Sequence, residues 1–299
     1  MSNALVVAVT SAGIAFLTTI LAAPLRMGVE RNLHAHRLRA EYDYEQRREL
    51  RNLIGRYHGR LLEAAEQLHF RCLNIYAHDP EGWLENRGGF YFRTTCYRLT
   101  HLVALAHAFE REAFYIDGRI AEPTDLDFVR FVKAFLWALA DTSLFERLPY
   151  NPSRSEDHFF FDQLRLLGET FYPRDRESMT IREFDATLNE HHNPFEEMEQ
   201  FVLGLKRGED RLRWDRLVVL HLLLIAFRNT VGYETHRSPK GEIATVESEI
   251  EHRQIRENLI AWLPKLGLAD QPEMQRVAAI VNSSVAGTTT PSAGSARGS

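Results

Sequence analysis

Residues 50–75, LRNLIGRYHGRLLEAAEQLHFRCLNI, decide the fold. Leu50, Ile54, Tyr57, Leu61, Ala64, Leu68 and Ile75 recur at helical spacings and fall on one stripe. The remaining positions are mostly charged or polar, so this is a helix with one apolar face. That face reads as core-facing. A coiled-coil seam is the alternative, but fewer than four uninterrupted heptads are present and many further helices follow to pack against it.

Toward the N-terminus the same helix has no reason to stop. Residues 26–78 hold no proline and only Gly28, Gly55 and Gly59, among many Arg, Glu, Leu and Ala. Between Glu30 and Arg51 both charge signs are mixed, which suits a solvated or headgroup-facing stalk, assigned to residues 26–49. Ahead of it, Ala4 to Leu25 carries no charge. A helix of that length reaches about 33 Å, enough for a hydrocarbon core of about 30 Å. Residues 1–25 are therefore expected to be a single transmembrane anchor in contact with the lipid bilayer through residues 4–25. Small residues (Ser11, Ala12, Gly13, Ala15, Ala22, Ala23) are compatible with two such helices packing closely, hence with a homo-oligomer. A cleaved signal peptide is the competing reading, with Ala22 and Ala23 near a processing site. It fits less well, because no Lys or Arg precedes the apolar run. The basic residues follow it, as Arg26, Arg31, Arg37 and Arg39. By the positive-inside rule this predicts a single-pass protein of the cell membrane, N-terminus outside and C-terminal domain cytoplasmic.

Toward the C-terminus, punctuation divides residues 50–281 into a bundle. Asp79-Pro80, Gly82 and Gly88-Gly89 mark a loop, and a helix over Phe92 to Ile116 ends at Gly118 and Pro123. Thr124 is the expected N-cap of an apolar helix reaching Phe145, with Trp137 in the bundle centre. Further helices are expected over Glu156 to Phe171, after the capping boxes Thr180/Glu183 and Asn193/Glu196, over Arg211 to Tyr233, and over Thr245 to Leu263. The segment Leu217 to Phe227 is strongly apolar but too short to cross a membrane and carries His221, so it reads as a buried core helix. Residues 282–299, rich in Ser, Thr, Gly and Ala, are expected to be a disordered tail. The fold class is thus all-α: an N-terminal transmembrane helix, a long helix and a multi-helix bundle.

Composition narrows the function. The chain has 299 residues, 36 basic against 41 acidic. That balance lacks the basic excess that nucleic-acid binding uses, so nucleic acid is not the expected partner. Cys72 and Cys96 have no C-x-x-C spacing and suit a reduced, cytosolic domain. Arg far outnumbers Lys, which occurs only at 133, 206, 240 and 265, as in GC-rich bacterial genomes. No P-loop, G-x-G-x-x-G, G-x-S-x-G, H-E-x-x-H or EF-hand loop is present, and no cofactor is implied.

Four constellations remain. Glu66 with His69, and Glu249 with His252, form two Glu-x-x-His units, the local pattern of di-iron helical bundles, and are the metal candidates. With 13 His in the chain such matches also arise by accident. Glu190, His191 and His192 read as a polar turn, since adjacent side chains on a turn point apart. Asp157, His158 and Asp162 suit a helix start, where acidic groups meet the helix dipole. Finally, Arg31-Asn32-Leu33-His34-Ala35-His36 resembles the R-N-x-x-x-H motif of HEPN ribonucleases, all-helical proteins of bacterial toxin and phage-defence systems. The resemblance covers those six residues. It implies RNA cleavage, with Arg31 stabilising the phosphate and His36 moving protons. Arg31 also belongs to the positive flank of the anchor. A degenerate echo, Arg228-Asn229-Thr230-Val231-Gly232-Tyr233, places a tyrosine where the motif has histidine.

These readings predict a membrane-tethered cytosolic helical domain acting through a protein partner, as adaptor, sensor or membrane effector, in bacterial defence among other settings. The alternatives are a HEPN-like ribonuclease using Arg31 and His36, and an oligomeric membrane pore.

Overall fold

A single helix, α1 (Asn3–Ala77), runs from the N-terminus into the bundle. The computed structural model describes residues 3–114, 116, 119, 121–150, 157–173 and 177–287, with side chains from Leu33 to Val285 except Ala35. The expected anchor, 4–25, has its backbone in α1, and its side chains lie outside the described residues. Among the described residues no helix is long and apolar enough to cross a membrane.

The described residues form ten α-helices and no strand. After α1 come α2 (Phe90–Ala113), α3 (Pro123–Ala140), α4 (Phe161–Phe171), α5 (Ile181–Leu188) and α6 (Glu196–Val202). They are followed by α7 (Arg213–Val231), α8 (Lys240–Ser248), α9 (Arg253–Trp262) and α10 (Pro272–Gly287). The stripe on α1 is the core face: Leu50, Tyr57, Leu61, Ala64, Leu68 and Ile75 are buried, joined by Leu53, Ala65 and Cys72, while Ile54 is half-buried. From Leu33 to Glu49 the same helix is exposed at nearly every position, and burial begins at Leu50.

The centre is α7. Every residue from Arg213 to Asn229 is buried, as the run Leu217 to Phe227, apolar on all sides but for His221, requires. It runs antiparallel to α1. Tyr76 meets Trp214 (ring centroids 5.3 Å), His69 meets His221, and His58 Nε2 lies 3.0 Å from the Val231 carbonyl oxygen. On its other side Phe227 is ringed by Phe128, Phe131 and Phe135 of α3 at 5.2–5.9 Å. Against α2, α4 approaches so closely that a Cβ on Gly168 would stand 2.9 Å from His107 Cβ.

Several boundaries differ from the sequence reading, each for a tertiary reason. The helix expected to reach Phe145 stops at Ala140. Asp141 there caps a 3-10 turn, its Oδ1 accepting from Ser143 N at 2.8 Å and its Oδ2 from Trp262 Nε1 at 2.8 Å. Trp137 on that helix is half-buried against Phe161 and lies under the Lys133 ammonium, at the edge of the bundle instead of its centre. The helix expected from Glu156 begins at Phe161, because Asp157 is bound by Arg211 (2.6 Å) and His158 is buried beside Tyr150. The helix expected over Thr245 to Leu263 is two, α8 and α9. Buried Asp215 of α7 separates them, accepting from Glu251 N at 2.7 Å and pairing with His252 Nδ1 at 2.6 Å. Helix α10 continues to Gly287, past the expected start of the tail, because Val281 is buried and Ser284 donates to Glu247 at 2.8 Å. Residues 288–299 lie outside the described residues. The Thr180/Glu183 capping box forms as expected, with Thr180 N donating to Glu183 Oε2 at 2.7 Å.

A buried polar seam as candidate functional site

Where α1 crosses the C-terminal half of α7, the core is polar. His69 Nδ1 lies 2.8 Å from His221 Nε2, and His221 Nδ1 lies 3.1 Å from the Tyr76 hydroxyl. At the other end His69 Nε2 faces Glu242 Oε1 of α8 at 3.5 Å. Burial, reinforced by the Arg228 charge, lowers the His69 pKa to about 3, and the same causes with His69 hold His221 well below the ordinary value. Both rings are therefore neutral, and one tautomer arrangement satisfies the row. Tyr76 donates to His221 Nδ1, His221 Nε2–H donates to His69 Nδ1, and His69 Nε2–H points at the Glu242 carboxylate. The reverse arrangement would set a bare imidazole nitrogen against that carboxylate.

Two turns further, near the end of α7, stand Arg228 and Asn229, and the chain then folds back over its own helix end. Gly232 permits this: a Cβ there would stand 2.4 Å from the Arg228 carbonyl oxygen and 2.8 Å from His236 Cβ. The reversal is pinned by Asn229, whose Oδ1 accepts from Ser238 N at 2.8 Å and whose Nδ2 donates to Glu273 at 3.0 Å. Arg228 Nη1 donates to Ser238 Oγ at 3.2 Å, and its guanidinium stands 5.7 Å from the Phe70 ring centroid. Glu66 of α1 completes the corner, with Oε1 3.7 Å from Arg228 Nη2 and Oε2 3.4 Å from His236 Nε2. Burial lowers the Arg228 pKa against the opposing pull of Glu66 and Glu242.

The structure thus takes the degenerate motif echo and supplies a histidine from elsewhere. Tyr233, in the motif's histidine position, is exposed, while His236 sits across Glu66 from Arg228. Sequence reasoning missed His236, Ser238 and Glu242. The available signal was Gly232 directly after an apolar helix, a point where the chain can reverse and bring a residue a few positions on against the helix end.

The other candidates are dispersed. His36 is exposed on α1, and the side chain of Arg31 lies outside the described residues. On a continuous helix five residues turn by about 500°, so positions 31 and 36 lie on faces roughly 140° apart. The two Glu-x-x-His units are held by different partners. Glu66 and His69 belong to the seam, whereas His252 pairs with Asp215 and Glu249 lies 3.3 Å from Arg207. Asp215 and His221, the α7 partners of the two histidines, are six residues or about 9 Å apart along the helix. Among the described residues no group of three or more His, Cys, Asp and Glu is placed to hold a metal ion. Glu190, His191 and His192 are exposed in a turn, Asp162 is exposed at the start of α4, and Cys72 and Cys96 are buried free thiols.

No family model, curated protein or solved structure matches the chain.

Proposed function

We propose that this chain is a membrane-tethered helical module of the cytoplasmic face that acts by binding a protein partner. The observation that carries this reading is the continuity of α1. One unbroken helix joins the uncharged run 4–25 to the buried stripe that starts at Leu50, and between them the described side chains of 33–49 are exposed at nearly every position. A helix spanning from Leu25 to Leu50 sets the bundle about 37 Å from the end of the apolar run. That is the arrangement of an anchor, a rigid spacer and a working domain. The basic residues Arg26, Arg31, Arg37 and Arg39 favour a spacer inside the cell by the positive-inside rule.

A surface suited to such a partner is present on the bundle. Phe160 and Phe161, at the start of α4, are exposed, and Phe161 packs edge-on against half-buried Trp137 at 5.6 Å. Exposed aromatic groups next to a cation such as Lys133 are typical anchors for protein contacts.

Two measurements on one pair of chains test the reading. The full chain should resist extraction by alkaline carbonate, whereas a chain starting at Ala40 should be soluble, helical and still bind the same partner in equal stoichiometry. In both, Phe160→Ser with Phe161→Ser should abolish that capture. A full chain that leaves the membrane with carbonate would sink the tether, and partner capture indifferent to both serines would sink the binding surface.

A further inference from the structure

The corner formed by Arg228, His236 and Glu66 is under-bonded in a way that calls for a ligand. A guanidinium offers five N–H donors. The Arg228 side chain is only 4% exposed, yet its hydrogen bond is to Ser238 Oγ, its contact with Glu66 is 3.7 Å, and its buried Nε has no hydrogen-bond partner. Buried charges are ordinarily paired and fully bonded. His236 is directed at the same place. Its Nδ1 accepts from Tyr233 N at 3.2 Å, so the ring proton sits on Nε2, facing Glu66 Oε2 at 3.4 Å. One carboxylate is therefore shared between two donors and lies beyond the usual range of about 2.7–3.2 Å from each.

We infer that this corner binds a singly charged phosphodiester carrying a planar base, and that Glu66 is the built-in occupant the ligand displaces. Arg228 and His236 supply N–H donors to two different oxygens, which suits a tetrahedral oxyanion. The charge follows from the surroundings. Glu273 is matched by Arg276 at 3.1 Å, and Glu242 stays behind opposite His69, so exchange for Glu66 is charge-neutral only for a monoanion. A dianion would add a negative charge beside Glu242. The base follows from the rim. Phe70, 51% exposed, stands beside the Arg228 guanidinium, and Tyr233, 71% exposed, stands 5.7 Å from the His236 ring. Exposed rings flanking a cation provide stacking faces for a base. Glu66 can leave, because its side chain is 31% exposed on the outer side of α1.

The test is calorimetric titration of the full chain in detergent with five probes: a 3′,5′-cyclic mononucleotide, dimethyl phosphate, inorganic phosphate, acetate and a short single-stranded oligoribonucleotide. The cyclic mononucleotide should bind at least tenfold tighter than dimethyl phosphate, and inorganic phosphate and acetate more weakly still. Glu66→Gln should tighten the cyclic mononucleotide about tenfold, since the internal competitor has lost its charge, and Phe70→Ala in that background should remove most of the gain. Arg228→Lys and His236→Gln, checked for native helicity, should each weaken it at least tenfold. If Arg228→Lys does not fold, His236→Gln and Phe70→Ala still decide the outcome. Unchanged or weaker binding in Glu66→Gln overturns Glu66 as occupant. Inorganic phosphate binding as tightly as the diester overturns the monoanion assignment, and an oligoribonucleotide binding tenfold tighter than the mononucleotide overturns the small ligand.

Discussion

His69 and His221 meet nitrogen to nitrogen at 2.8 Å in the middle of the antiparallel contact between α1 and α7, and both are neutral there. The pair is a polar bridge between α1 and the central helix of the bundle. Its neutrality links the packing of these two helices to pH.

Folded-state values depressed below an ordinary value near 6.5 mean that the unfolded chain binds protons the native one does not. Stability from these rings is therefore complete above about pH 6.5 and is lost as pH falls toward the folded values, by roughly 1.4 kcal/mol per pH unit for each ring. Carboxyls whose pKa desolvation raises, the half-buried Glu110, Glu209 and Glu249 and the buried Asp215, act in the opposite sense. The comparison must therefore be differential. Thermal unfolding of the chain and of the His69→Gln, His221→Gln double variant between pH 7 and 4.5 should show a steeper acid loss in the parent. Parallel pH profiles would contradict the buried neutral pair.

Asp215 separates α8 from α9 by holding Glu251 N and His252 from the buried central helix. Asp215→Ala leaves the part-buried Glu251 amide without its acceptor and frees His252. The expected loss is roughly 2 to 4 kcal/mol, read from denaturant midpoints. Amide exchange should rise first at Glu251 and along α9, while α3 keeps its protection.

These cases show what the sequence could and could not convey. Patterns confined to one helix were legible: the α1 stripe, the apolar run Leu217 to Phe227 of α7 and the Thr180/Glu183 box depend on neighbours three or four residues away. Boundaries set by a distant side chain were not. Nothing near Glu251 announces that Asp215 will reach its backbone, and nothing near Ala140 announces that Asp141 will be tied to Trp262. The polar seam was half legible. Arg228 and Asn229 stood out on an apolar helix, but the pairing of His69 with His221 spans 152 positions and has no local signature.

Leu222 and Trp137 separate the true centre from the apparent one. Leu222 is fully buried in α7, so Leu222→Ala should cost about 2 to 5 kcal/mol through lost transfer energy and a residual cavity. Trp137 is half-buried, and its replacement by alanine should cost clearly less, because part of the ring already faces water. Urea midpoints of the two variants, measured side by side, check the order. An equal or larger loss for Trp137 would place it back in the core.

Gly232 decides whether the corner exists at all. Its φ of −80° is open to any residue, so the constraint is contact and not backbone strain. A methyl group there meets the Arg228 carbonyl oxygen at 2.4 Å and His236 Cβ at 2.8 Å. The first is a backbone atom of a packed helix and cannot yield, so the chain after Val231 must swing outward and carry His236 with it. Gly232→Ala should cost about 1 to 3 kcal/mol, as overpacking does. The more telling readout is local. The Tyr233 amide, which donates to His236 Nδ1 at 3.2 Å, should lose its protection from hydrogen exchange. The His69–His221 pair, three turns back along α7, should keep its acid behaviour. If Tyr233 remains protected in Gly232→Ala, the reversal is held by Asn229 and Ser238 alone, and the glycine is not what shapes it.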